Sequence, residues 1–292
     1  MFMIIRDLYR SDKKFAFGFT VICLLIFLAL LSFVSPYDPK LWNVVPKNRP
    51  PSLHYILGTN SMGQDIFWNL THAIKNSVFL GSLTAVISIL IGTFVGLLSG
   101  YRGGGLDRFL MSVNDSFFVI PSLPILILIS SIIKQHINLI LIAFILALFS
   151  WPWGGRQVRA IVLGLREREF TYMANFSGMN TFQIILTEHL PFVIPWVMAN
   201  FINTILWAIG METTLAIFGL SSLETPTIGT TIYWALQYQA LLRGIWWWIF
   251  TPVILAILLF VALYTLSVSI SNYLDPRTRI QRMRMKEGGS EA

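Results

Sequence analysis

Apolar residues concentrate in six long runs, approximately Phe15 to Val34, Val78 to Tyr101, Phe109 to Ile133, Leu139 to Leu163, Phe192 to Phe218 and Trp246 to Tyr273. A helix of about 20 mostly apolar residues crosses the hydrocarbon core of a bilayer, and every run reaches that length. Glycine, proline and charge clusters separate them, and no gap is long enough for a soluble domain. The pattern predicts an all-α polytopic membrane protein with six transmembrane helices. A basic start before an apolar run also describes a secretory signal peptide, whose core is roughly 7 to 15 residues. The first run is longer than that, so it is read as an uncleaved anchor.

Composition strengthens this reading. Of 292 residues 55% are apolar and 12% charged, where a soluble domain carries about 25% charged. The formal net charge is +7, but the basic residues sit in short segments between the apolar runs and not in a stripe interleaved with aromatics, which argues against nucleic acid. Placing both termini in the cytoplasm puts fifteen of the 21 Lys and Arg residues inside, as the positive-inside bias requires of an inner-membrane protein. On that map residues 1–14 are a cytoplasmic tail, 15–34 the first helix and 35–77 an external loop. Residues 78–273 are a five-helix core with a cytoplasmic loop at 164–190, and 274–292 form a second cytoplasmic tail.

Candidate chemistry is sparse. The single cysteine, Cys23, rules out an internal disulfide. His54, His72, His136 and His189 lie on different segments with no metal-binding spacing, so no metal site is expected. No Gly-Lys dipeptide occurs, and a phosphate-cradling Walker loop needs one. No catalytic residue is therefore assigned, and any energy from ATP has to come from other subunits.

The loop from Leu165 to Leu190 reads LREREFTYMANFSGMNTFQIILTEHL, which suggests two short helices around a turn at Gly178. Alternating charges in Arg166-Glu167-Arg168-Glu169 would keep the first helix in water, while Phe170, Met173, Ala174 and Phe176 offer apolar groups to a partner groove. This stretch resembles the signature loop of ABC importer permeases, whose pattern is roughly Glu-Ala-Ala, three residues, Gly, then a run ending in His-Leu-Pro. Tyr172-Met173-Ala174, Gly178, His189 and Leu190-Pro191 occupy those places, with Tyr172 for the glutamate and Met173 for the first alanine.

Further landmarks resemble the second-permease branch of the dipeptide, oligopeptide and nickel importers. They are Leu57-Gly58-Thr59-Asn60 with Gly63-Gln64-Asp65, Asp115 with Pro121-Ser122-Leu123, Glu212 with Leu215 and Phe218-Gly219-Leu220, and Leu274-Asp275-Pro276-Arg277. Gln64 replaces the branch's usual arginine. The resemblance implies a type I (MetI-like) permease fold, a second homologous permease, two ATPase subunits and an external solute-binding protein. It also implies that Glu169, Phe170, Tyr172, Met173, Ala174, Gly178, His189 and Pro191 form the ATPase-coupling loop. The chain itself is expected to bind no cofactor, ATP and Mg being held on the partners. The implied cargo is peptide, with oligosaccharide or a nickel complex as alternatives. A secondary transporter is the competing class, although no half-to-half repeat is evident.

Glu212 falls inside the fifth predicted span, where an ionisable group costs at least about 2.5 kcal/mol. It is either a polar element of the translocation path or gate, or a clamp between helices. Asp115 carries the same two readings, with an ion pair to Arg108 or Arg156 as the structural one. Gly92, Gly96 and Gly100 place a smooth strip on one helix face, for the sister permease or for packing within the chain. Prolines at 121, 124, 152, 191, 195 and 252 are expected to bend or start helices, and Trp151, Trp153 and Trp246 to Trp248 to sit in interfacial belts.

Overall fold

The computed structural model describes residues 2–274, and the long regular elements among them are all helices. The tail landmark from Asp275 to Arg277 lies outside them. In chain order the helices are α1 (Phe2–Ser11), α2 (Lys13–Leu31), α3 (Ile66–Arg102), α4 (Gly104–Val119), α5 (Ser122–Ile132), α6 (Leu139–Arg166), α7 (Glu169–Phe176), the one-turn α8 (Thr181–Gln183), α9 (Leu190–Ile217), α10 (Ile228–Gln237) and α11 (Trp246–Leu274). Among the described residues five helical spans are long and apolar enough to cross a membrane, and α4 and α5 reach that length and apolarity only taken together, as a pair bent by 80°.

Three expected boundaries move, each for a local reason. The second span starts at Ile66 and not at Val78, because Asp65 caps α3 by accepting from the amides of Phe67 at 2.8 Å and Trp68 at 3.4 Å. The Trp68 stretch, placed by the expected map in the external loop, is the first part of that 37-residue helix. The third span is two helices meeting at 80°, since Pro121 forces Ile120 into an extended conformation. The fifth begins at Thr181 and not at Phe192, because a π-helical turn over Ile184–His189 carries the chain from α8 into α9.

Packing explains the glycine strip. A Cβ on Gly96 would lie 2.6 Å from the Gly155 carbonyl oxygen, and one on Gly92 2.8 Å from that of Trp151. Gly92, Gly96 and Gly100 therefore seat α3 against α6 within the chain, backbone to backbone. Opposite this seam, α2, α3, α9, α10 and α11 share a core of Leu25, Ile74, Ile205, Ile209, Ile228 and Leu259. Of the tryptophans expected at interfacial belts, Trp151 and Trp248 are buried in packing, whereas Trp153 and Trp246 are exposed.

Residues 35–65 have no long helix and are held by hydrogen bonds to their own main chain. Thr59 Oγ1 donates to the Pro46 carbonyl at 2.6 Å and accepts from the Arg49 amide at 2.8 Å. Gln64 Nε2 donates to the carbonyls of Pro39 at 2.9 Å and Leu41 at 3.1 Å. Gly58 takes a positive φ of 77° where any side chain would strike the Arg49 carbonyl and the Trp247 indole. The Leu57 to Asp65 motif is thus the knot that closes this end of the bundle.

Candidate functional site

At the other end of the bundle α7 is tied down on one side and bare on the other. Thr171 Oγ1 donates to the Leu165 carbonyl at 2.9 Å and lies 3.0 Å from His189 Nε2. His189 is fully buried, with the Tyr101 ring edge-on at 5.2 Å. Tyr101 in turn donates to Asn175 Oδ1 at 3.1 Å, and Phe170 stacks on Phe192 at 5.3 Å. These contacts join α7 to the end of α3, the end of α6 and the π turn. Ala174 is buried beneath the helix.

Gly178 ends α7 with a φ of 79°, and the amide of Met179 reaches back to the Ala174 carbonyl at 3.2 Å, as in a glycine-terminated helix. No heavy atom lies within 4 Å of where its Cβ would be. Asn180 and Gln183 then form a reciprocal capping box for α8.

The bare side carries Tyr172, Met173 and Phe176, one face by their i, i+3 and i, i+4 spacing; Phe176 is 88% exposed and Met173 66%. Phe182 on α8 is exposed too. Glu169, at the start of α7, and Pro191, at the start of α9, are exposed as well. Tyr172 donates its hydroxyl to Glu167 Oε2 at 3.0 Å, and Arg166 pairs with the same carboxylate. These partners, Tyr172 first, hold the Glu167 carboxyl below the usual glutamate range. The tyrosine therefore supplies its own polar contact at the position where the signature has glutamate.

Glu212 is fully buried, and Oε1 accepts from Ser221 Oγ at 2.7 Å and Thr227 Oγ1 at 2.8 Å. Thr227 also caps α10. A Cβ on Gly229 would lie 3.1 Å from Glu212 Oε2 and 2.7 Å from the Thr213 Cα, so α10 lies directly on α9. The Ile228 amide donates to Ser77 Oγ at 3.0 Å, and Asn76 Nδ2 to the Pro226 carbonyl at 2.7 Å. The contacts of Glu212 are those of a clamp fastening the turn between α9 and α10. Asp115 pairs with Arg156 at 2.6 Å. A second pair, Asp107 with Arg159 through two bonds of 2.6 and 2.7 Å, joins α4 to α6 and went unnoticed in the sequence.

Sequence reasoning also missed a cleft of about 480 Å³ between the α4–α5 bend, α6 and α9. Phe117, Ser150, Trp153, Asn200, Asn203 and Trp207 line it. The available signal was the pair of amide side chains within an otherwise apolar run.

The pattern of the family described as "Binding-protein-dependent transport system inner membrane component" matches residues 88–280, which takes in α7, Glu212 and the cleft. The chain belongs to this family of importer permeases. Over 278 residues the permease is 27% identical to the dipeptide transport system permease protein DppC of Bacillus subtilis, covering 94% of this chain and 86% of that one. Over 213 residues it is 30% identical to the oligopeptide transport system permease protein OppC of the same species, covering 73% and 69%. Its fold matches a chain of the MetNI methionine ABC transporter, solved in inward-facing conformations, with a TM-score of 0.58 over 73% of this chain and all of that one at 17% identity. The expected type I permease fold is therefore the fold observed.

Proposed function

We propose that this permease forms half of the pore of an ATP-driven peptide importer, and that α7 is the surface through which ATPase subunits drive it. The observation that carries the reading is the unpartnered face of Tyr172, Met173 and Phe176 on a helix locked from behind by Thr171, His189 and Tyr101. A rigid helix with exposed apolar groups suits a helix-in-groove contact, and movement imposed on α7 passes into α3 and α6. Peptide cargo follows from the names of the relatives that match along the chain.

The complete machine has a second permease, two ATPase subunits that hold ATP and Mg, and an external binding protein. Both termini lie in the cytoplasm, because that orientation gathers the basic residues on the inner side. The binding protein meets the opposite end, where residues 35–65 and the α9–α11 connection converge, with Trp42 and Trp234 5.5 Å apart at edge-to-face geometry. Glu212 serves as the clamp of that connection, and Asp115 as a structural ion pair.

Co-expression with its sister permease, ATPase pair and binding protein, followed by reconstitution in liposomes, provides the test. Labelled tripeptide should accumulate only with ATP and the binding protein. Accumulation by the permease without ATPase subunits would replace this reading with a secondary transporter.

A further inference from the structure

We infer that the mid-membrane cleft between α4–α5, α6 and α9 is this chain's share of the cargo path, and that it is an uncharged wall of aromatic rings, amides and hydroxyls suited to peptides of either charge. The inference rests on the importer reading above and adds where the cargo passes and what it touches.

Depth is the first argument. Ser150 and Trp153 lie near the middle of α6, Asn200 and Asn203 near the middle of the fifth span, and the 80° break of α4 and α5 falls at the same cleft. Amide groups and irregular backbone at that depth are tolerated where they border protein or water, not where they border acyl chains. Asn203 Oδ1 already accepts from Ser267 Oγ at 2.7 Å, which leaves its NH₂ group for the cleft. Glu212, by contrast, has both hydroxyl partners inside the protein and does not line this cleft.

Charge is the second. No Asp, Glu, Lys, Arg or His lines the cleft. The nearest charges are Asp115 and Arg156, paired at 2.6 Å. The Arg156 guanidinium stacks over the ring of Phe118, a lining residue, at 4.2 Å, so this edge of the wall carries a neutralised pair and no single fixed charge. A fixed charge in a low-dielectric passage would retain cargo of one sign and repel the other, whereas transit requires contacts weak enough to release. Trp153, Trp207 and Phe117 provide apolar surface to side chains, and Asn200, Asn203 and Ser150 match the donors and acceptors of a peptide backbone.

The single cysteine makes the test direct. In a Cys23→Ser background, Asn200→Cys, Asn203→Cys and Trp153→Cys are each assembled into the full reconstituted complex and treated with small anionic and cationic methanethiosulfonates. Both reagents should react, tripeptide with ATP cycling should slow the reaction, and modification should reduce uptake on the order of tenfold. Leu90→Cys, exposed on the outer surface of α3, should stay unreactive in lipid. Trp153 is 52% exposed, so Trp153→Cys is expected to assemble and reports on the cleft if either asparagine variant fails to assemble. Cysteines unreactive in resting, ATP-bound and vanadate-trapped states would mean that lipid or the sister permease covers the cleft, and would overturn the inference while intact uptake keeps the importer reading. Reactive cysteines in a complex that moves no peptide would overturn the cargo class instead. Asn203→Asp should shift the uptake ratio of Lys-containing over Glu-containing tripeptides upward by roughly fivefold; an unchanged ratio would sink the claim that neutrality matters.

Discussion

The two ends of the bundle solve opposite problems. At the end built from residues 35–65, polar side chains are consumed by the chain's own carbonyls, as with Gln64 on Pro39 and Leu41 and Thr59 on Pro46. At the end built from α7, the polar groups are spent on the hidden side, and the visible side is Met173 and Phe176. One end is held together by its own hydrogen bonds; the other leaves an apolar face uncovered, which the proposed function fills with a partner. Substitutions at the first are therefore read in stability, and at the second in coupling.

The largest effect is expected at Glu212, which belongs to the self-sufficient end. Glu212→Leu strips the acceptor from Ser221 and Thr227, a loss of roughly 1 to 3 kcal/mol for buried groups left unpaired, visible as a lower melting temperature of the purified complex. Glu212→Gln keeps an acceptor oxygen in place and should retain most transport. A Gln variant as stable as the parent but without uptake would make the charge itself functional and return Glu212 to the pore.

Gly178 comes next and sharpens the contrast, because its surroundings are empty and only the backbone resists. Gly178→Val forces a β-branched residue to a φ of 79°, at a cost of about 1 to 2 kcal/mol. It should uncouple ATP hydrolysis from uptake in liposomes. Gly178→Asn, which tolerates the left-handed region, should keep coupling; equal loss in both would mean that turn geometry is not the cause.

Phe176→Ser should leave thermal stability of the isolated permease unchanged, since the side chain is almost fully exposed, and yet lower the amount of ATPase recovered by pull-down. A large fall in stability without loss of ATPase would reverse the assignment of this face. The smallest effect belongs to Tyr172→Phe, which removes the hydroxyl from Glu167. The folded pKa of Glu167 lies below its unfolded value, so the pair's contribution is present at neutral pH and fades as pH falls through the folded pKa. The variant should titrate Glu167 at higher pH by NMR with stability at pH 7 little altered.

Much of this architecture was legible because lipid is a strict solvent: runs of apolar residues had to be spans, and the basic clusters had to be loops. Asp65 and the π turn at Ile184–His189 were harder. A capping aspartate before Ile66 extends a helix through the Trp68 stretch without changing its hydropathy, and a π turn lets Thr187, Glu188 and His189 sit in a helix whose pattern reads as loop. Asn200 and Asn203 were visible as polar interruptions, but which way they face depends on where α4 breaks, and that depends on Pro121 acting together with the packing of α6. Likewise Asp107 finds Arg159 only once α4 and α6 lie side by side.

Because glycines let α3 and α6 touch along their main chains, the pair is in effect one girder. Tyr101 fastens α7 to its foot and Asp65 begins its head, so, on the coupling role proposed for α7, a push at that foot enters the glycine seam and is carried up α3, whose 37 residues rise about 55 Å. A single alanine at Gly96 would act as a shim, prising the rods apart and letting the stroke dissipate before it reaches the top.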